Sequence, residues 1–448
     1  MNSDNASKIH TLSDIARESW SVSWPMTFIM FYEFLIGLAD IYVAGRFGKT
    51  AQAAYGFSFQ LYFVFIIIGI ALSIGTVSVV SRLYSAERTH AFRSAVASCV
   101  GTSAALGIIF VILGFFLSGN IISGVNIPLP VKSLAIPFMR IYSLAFLFDY
   151  VLMNNNGILR ACGMVKRSLW VMTIVCMMNI ALNFLLAFRT PLGLNGIAVA
   201  TVISLFTGAA LTLYFTGRLS GVFSFSIRIV KEVLNISWPS GLLQAFLQIG
   251  YLVLFLILGM LPRYNTEIMA ALTNGLKIES AIFLPAIAFN LGAAVIVGRH
   301  LGIRDKQGAF RGGVITAVMG VAMVIAIILL VMLNARHVAS FLSDNPIVTR
   351  ESVKYIHIAL IGQPFLAWGL ILAGGLNGAG DTRSVMLIMF ISIWLIRIPL
   401  CYYLGIELGL GAVSIWWSMN ISIIVHAILM TYRYWQKRWI SMGMDVAV

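Results

Sequence analysis

Charge is scarce in this sequence. Only 10% of its 448 residues are Asp, Glu, Lys or Arg and 60% are apolar, against about 25% charged in a soluble domain. That balance excludes a water-soluble globule and points to a polytopic membrane protein. Segments of about ten residues with alternating polarity are also missing, so a membrane barrel is rejected and helices remain. The four cysteines, Cys99, Cys162, Cys176 and Cys401, are far apart, with no CxxC and no histidine at ligand spacing; they read as packing residues rather than as a metal or disulfide set. A Gly-rich phosphate loop, an HExxH motif and a Ser-His-Asp arrangement are all lacking, and the extramembrane loops are too short for a soluble catalytic domain, so an enzyme is not expected. The first 22 residues carry Asp4, Lys8, Asp14, Arg17 and Glu18 instead of a basic start, a short apolar core and a cleavage site. The N-terminus is therefore expected to stay in the cytosol.

What the chain does have is long apolar runs. A helix needs roughly 20 apolar residues to cross about 30 Å of hydrocarbon, and such segments begin near residues 23, 53, 94, 134, 168, 193, 237, 268, 312, 354, 384 and 410. The expectation is twelve transmembrane helices. The formal net charge of +14 raises nucleic acid as a partner, but position answers it. With the N-terminus inside, bases such as Arg82, Arg88, Arg93, Lys166, Arg167, Arg299, Arg304, Arg311 and Arg383 fall on the cytoplasmic side, about twice as many as on the other face, as the positive-inside rule requires. The excess charge encodes topology, and both termini are placed in the cytoplasm.

The chain is also duplicated. Ser23-Trp24-Pro25 opens the first span and Ser237-Trp238-Pro239 the seventh; Ala91-Phe92-Arg93 answers Ala309-Phe310-Arg311; GILRACGMVK from residue 157 answers GGLNGAGDTR from residue 374; PLGLNGIAVA answers ELGLGAVSIW. Each half holds an even number of spans, so the repeat is parallel and its pseudo-two-fold axis runs along the membrane normal. The predicted organisation is a cytoplasmic segment (1–22), a six-helix lobe (23–217), a cytoplasmic linker (218–236), a second six-helix lobe (237–432) and a cytoplasmic tail (433–448). Gly378 and Gly380 are expected to allow a tight turn, with Asp381 capping the next helix.

The stretch Gly374, Gly378, Ala379, Gly380, Asp381, Thr382 and Arg383, its partner ILRACG after the fourth span, and Asp40 in the first span resemble the multidrug and toxic compound extrusion (MATE) family, over residues 20 to 435. The resemblance implies an antiporter of the cytoplasmic (inner) membrane with twelve helices in two six-helix lobes, expelling organic, often cationic and amphipathic compounds as Na⁺ or H⁺ enters. It implies no cofactor beyond the coupling ion.

Candidate site residues come from acids placed in hydrocarbon. Glu33 and Asp40 are seven positions apart, two helical turns, on nearly the same face and about 10 Å apart along the axis. A carboxylate at bilayer centre costs on the order of 3 kcal/mol. Burial disfavours its charged form, so it is suited to take up a proton or be neutralised by Na⁺. The resemblance carries the family's proton or cation network onto Asp40, Asn179, Asn183, Tyr142 and Thr201. This sequence departs from the pattern at Asn183, where an aspartate is common, and at Glu33, where an amide is common. One negative charge has moved from the fifth span to the first, and H⁺ and Na⁺ both stay open, the latter at the Asp40 cluster. Asp149, Asn154, Glu279, Lys277 and Arg397 are assigned to the substrate cavity; Asp149 has Arg140 and Arg160 as candidate partners, and Lys277 and Arg397 have Glu279.

Those two cations leave alternatives. One is export of a specific anionic metabolite such as a flavin. A lipid-linked oligosaccharide flippase shares the two-lobe plan but calls for several cavity cations where only Lys277 and Arg397 qualify. A passive channel lacks a ring of filter residues. The expected partners are a small-molecule substrate and membrane lipid, with the chain acting as a monomer.

Overall fold

The computed structural model describes residues 11–220, 224–262, 264–334 and 346–444. Residues 1–10, 221–223 and 445–448, in the expected N-terminal segment, linker and tail, lie outside them. All regular structure among the described residues is helical: α1 Leu12–Arg46, α2 Lys49–Ser85, α3 Thr89–Gly124, α4 Leu129–Ser143, α5 Ala145–Ala161, α6 Val165–Arg189, α7 Asn195–Ser220, α8 Ile227–Gly259, α9 Asn265–Gly302, α10 Lys306–Leu333, α11 Pro346–Ala379, α12 Thr382–Glu407, α13 Ala412–Trp435 and α14 Arg438–Met444. Eleven are long and apolar enough to cross a membrane, and α4 with α5, bent by 46°, supplies a twelfth span. At that bend the Ser143 hydroxyl donates to the Arg140 carbonyl, the kind of back-bond that bends helices. α12 contains π-helical turns at Ile391–Arg397 and Tyr403–Glu407, on either side of Pro399, which cannot donate a backbone hydrogen bond.

The duplication is written into the backbone. Left-handed conformations recur at Gly48 and Tyr264, Glu87 and Arg304, Gly163 and Gly380, and Gly193 and Gly409, each pair 216 or 217 residues apart. Three of these positions close a helix by the same device. Met164, Asp305 and Asp381 donate their amides to the carbonyls of Leu159, His300 and Leu376 at 2.8 to 2.9 Å, the six-to-one bond that ends a helix around a left-handed residue.

The chain divides into two compact units, residues 28–241 and, in the other, the residues up to Thr27 with those from Leu242 onward. In the first, aromatic side chains of α2, α4 and α5 build the core: Tyr62 packs on Tyr142 and Phe146 with ring centroids 4.4 and 4.3 Å apart, and Tyr55 meets Phe138 edge-on. In the second, α9 and α11 approach backbone to backbone. A Cβ added at Gly374 would lie 2.1 Å from the Asn290 carbonyl oxygen, and one at Gly378 2.2 Å from that of Ala294. Helices in lipid gain little from hydrophobic burial against each other, so close packing through small residues takes over.

These contacts correct one expectation. Gly378 sits inside α11 as a packing residue, because the α9 backbone leaves no room for a side chain there, and the turn is made by Gly380 at φ 88°. The Asp381 side chain makes no capping bond. It takes a hydrogen bond from Ser384 at 2.6 Å and an ion pair from Arg433 at 2.7 Å.

The repeated Ser-Trp-Pro has a packing reason as well. Ser23 lies over Gly292 in one unit and Ser237 over Gly75 in the other, with Oγ 2.4 and 2.2 Å from where a Cβ would stand. Each serine fits only because the facing residue is glycine. Nearby, Arg299 and His300 reach Glu18 at 3.4 Å, and Arg82 reaches Glu232 at 3.6 Å.

Gly378→Ala is expected to lower stability by about 1–3 kcal/mol, the usual range for overpacking. Gly217→Ala, where an added Cβ meets nothing within 4 Å, is expected to cost nothing. Melting temperatures of the two purified variants check this; equal values would remove the packing role of Gly378.

Candidate functional site

Within the unit of residues 28–241, α1, α2, α6 and α7 bring polar side chains together in an otherwise apolar interior. Asp40 on α1 is 3% exposed. Its Oδ1 accepts from Asn183 Nδ2 at 2.5 Å and its Oδ2 from the Tyr55 hydroxyl at 3.3 Å. Asn183 also donates to Asn179 Oδ1, one turn earlier on α6, at 3.0 Å, and Asn179 in turn donates to Thr201 and Ser204 of α7, both at 3.3 Å. All these residues are buried. The chain of bonds runs from Tyr55 through Asp40, Asn183 and Asn179 to α7, and among the described residues no Lys or Arg side chain takes part in it.

Two neutral donors favour the ionised carboxylate, while removal from water opposes it. Among the described residues Asn183 Oδ1 has no hydrogen-bond partner, a costly state for a buried carbonyl oxygen.

A second acid stands nearby on α5. The Tyr62 hydroxyl donates to Asp149 Oδ2 at 2.8 Å, so the hydrogen bond of Asp149 goes to a phenol and not to Arg140 or Arg160. Tyr142 packs its ring on Tyr62 and Phe138, with no bond into the Asp40 network among the described residues. Glu33 is exposed, apart from the bonded Asp40 network, with Asp149 and Arg160 as charged neighbours. Asn154 is fully buried and accepts from Thr76 at 2.7 Å.

The second unit holds its polar residues differently. Glu279 of α9 accepts from the Tyr355 hydroxyl at 2.6 Å. Arg397, at the end of the first π-helical stretch, donates to Ser422 at 2.8 Å and acts electrostatically on Glu279 and on buried His426. Among the described residues neither Arg397 nor Lys277 comes within 4.0 Å of Glu279 as an ion pair. Lys277 is exposed and, two positions from Glu279, stands on a different face of α9.

The residues missed from sequence were Tyr55, Tyr62 and Ser204. Tyr55 and Tyr62 are seven positions apart on α2, the same interval as Glu33 and Asp40, and so share a face. That spacing was the available signal, masked by the surrounding aromatics.

The MatE family model matches residues 25–185 and again residues 239–403, once in each half of the duplication. The chain belongs to the MatE (MATE) family. Members of this family are transporters. The chain is similar to the probable multidrug resistance protein NorM of Thermotoga maritima, 24% identical with 91% of this chain and 89% of that one covered. It is likewise similar to the NorM protein of Bradyrhizobium diazoefficiens, 26% identical with 94% of each covered. Among solved structures, a MOP superfamily transporter from Pyrococcus furiosus superposes with a TM-score of 0.88 at 19% identity, covering 96% of this chain and 97% of that one. A MATE transporter in a bent conformation gives 0.88 at 19% identity, with 97% and 98% covered. These likenesses fix the fold of this MATE transporter as a twelve-span, multi-pass membrane protein.

Asn183→Leu in this transporter removes the donor that serves both Asp40 and Asn179. It is expected to cost about 1–3 kcal/mol, as for other buried polar groups left unpaired. Thermal unfolding of the variant beside Asn183→Gln, which keeps an amide, checks this; equal loss in both would point to volume and not to the hydrogen bonds.

Proposed function

We propose that this MATE transporter exports organic, cationic and amphipathic compounds across the cytoplasmic (inner) membrane by alternating access, in exchange for H⁺ or Na⁺ bound at Asp40. The observation that carries the reading is the Asp40 network: a carboxylate buried among apolar helices and held only by the neutral donors Tyr55 and Asn183. Its relatives, named as multidrug resistance proteins, support the substrate class.

The mechanism follows from competition. A ligand shifts a conformational equilibrium only by its differential affinity for the two states. With Asp40 ionised, the lobe attracts a cationic substrate. When a proton or Na⁺ enters from outside, that attraction is lost and the substrate leaves. Protonated Asp40 becomes a donor, and the Asn183 amide, turned over, offers Oδ1 as acceptor. Protonation thus gives Asn183 Oδ1 a donor, in exchange for the bond that Nδ2 makes to Asn179 Oδ1. Asp149 with Tyr62, and the accessible Glu33, add negative potential on the same side of the reading. Asn179 and Thr201 support Asp40 through Asn183, Tyr142 packs beside the Tyr62 that serves Asp149, and Glu279, Lys277 and Arg397 serve the substrate path in this reading, with buried Asn154 behind it. The protein works as a monomer with both termini in the cytoplasm.

A second reading, export of a compound bearing an anionic group, is favoured by one observation. Lys277 is exposed and has no ion pair among the described residues.

Efflux of a fluorescent cationic dye from vesicles carrying the purified protein, under separate pH and Na⁺ gradients, tests the first reading. Wild type is expected to drive efflux under one gradient, and Asp40→Asn to fall to the leak of protein-free vesicles while staying folded. Robust gradient-driven efflux by Asp40→Asn would sink the assignment; absence of dye efflux by folded wild type under both gradients would favour the anionic substrate.

A further inference from the structure

A cleft of about 720 Å³ opens in the second unit, lined by Lys306, Gln307, Phe310, Arg311, Lys437, Ile440 and Ser441. Three of these are cations and none is an acid. The volume is that of a typical small-molecule site, and it lies away from Glu279 and Arg397, among residues the transport reading does not use.

The cleft is built where α10 begins and α13 gives way to α14. Lys306 is the first residue of α10, and Arg311 follows within its second turn. Lys437 lies in the turn between α13 and α14 in a left-handed conformation, φ 57°, and its Nζ stands 4.7 Å from the centre of the Phe310 ring. α14 is fixed against this end of the bundle. Buried Trp439 donates to the Tyr434 carbonyl at 2.8 Å, and the Tyr434 hydroxyl donates to the Phe310 carbonyl at 3.2 Å. Buried Ile440 supplies an apolar wall.

The positive charge is uncompensated. Among the described residues none of the three cations forms an ion pair. The adjacent carboxylate, Asp305, is turned away to His300 Nδ1 at 3.0 Å and the Gly308 amide at 2.8 Å. Arg433, the neighbouring base on α13, is already paired with Asp381.

Position selects the occupant. The cleft stands at the end of the apolar α10, where hydrocarbon gives way to water. Trp435, 45% exposed, packs edge-on against Phe310 of its lining, as aromatics gather at the headgroup level. The distribution of basic residues puts this end on the cytoplasmic side, where anionic lipids gather. In the first half Arg88 and Arg93 answer Lys306 and Arg311, but among the described residues α7 is not followed by a helix like α14 that would close such a cleft.

We propose that this cleft binds the headgroup of an anionic phospholipid, with Lys306, Arg311 and Lys437 holding the phosphate and Phe310 and Ile440 meeting its glycerol and upper acyl carbons. Each base near a membrane surface contributes appreciably to such binding, and the site adds fixed geometry to that attraction. The lipid would tie α14 and the start of α10 to the bilayer surface.

The test is native mass spectrometry of the full chain released from nanodiscs of mixed phosphatidylcholine and phosphatidylglycerol, for wild type, K306Q/R311Q/K437Q and the control R88Q/R93Q. The substituted side chains are exposed, and melting temperatures establish that each variant is folded. Wild type and control are expected to retain phosphatidylglycerol, and the triple variant to lose it by about tenfold or more. Equal retention by wild type and the triple variant would overturn the proposal, as would equal loss in the control. A parallel titration with inorganic phosphate is expected to leave retention unchanged; displacement of lipid by millimolar phosphate would make the site one for a free anion and overturn the lipid assignment.

Discussion

Asp40 is held out of water by neutral partners alone, and the surrounding architecture is arranged around that constraint. A buried carboxylate without a cation is costly unless its oxygens are hydrogen-bonded. Tyr55 serves one oxygen and Asn183 the other, and Asn183 is itself tied through Asn179 to Thr201 and Ser204. Four helices converge to supply these groups. Asn183 Oδ1 is left without a hydrogen-bond partner among the described residues.

The packing that holds these helices is of the kind lipid demands. Where soluble proteins bury apolar side chains between helices, this chain brings backbones together at Gly374 and Gly378 and seats a serine on a glycine twice, Ser23 on Gly292 and Ser237 on Gly75. The duplicated Ser-Trp-Pro is thus half of a repeated contact, whose other half lies in the second helix of the opposite repeat. Function has pulled the halves apart elsewhere. The first carries the acid network, and the second carries Arg397 among Ser422, His426 and Glu279 and a basic cleft at the water boundary.

Spans, duplication and Asp40 were legible in the sequence because each leaves a one-dimensional trace, whereas Asn183, Asn179, Tyr142 and Thr201 were grouped with Asp40 by the family resemblance, and of these Tyr142 is not joined to the bonded network among the described residues. Length and hydropathy mark a span, a fixed offset marks a repeat, and an acid in hydrocarbon marks a site. What was not legible depends on which neighbour a side chain meets. Tyr55 and Tyr62 looked like two more aromatics in an aromatic helix until Asp40 and Asp149 were found opposite them. Gly378 looked like a turn residue because it stands beside Gly380, and only the α9 backbone at Ala294 shows that it is a packing residue. Glu279 was assigned Lys277 and Arg397 as candidate partners, whereas its hydrogen bond comes from Tyr355, 76 residues further along the chain.

The most direct test of the account is whether substrate binding displaces the ion from Asp40. In weakly buffered detergent solution, a cationic substrate added to the wild-type protein should release protons, or Na⁺ if that is the coupling ion, and Asp40→Asn should bind with neither release. Equal ion release by wild type and Asp40→Asn would contradict the claim that neutralisation of this one carboxylate drives the cycle.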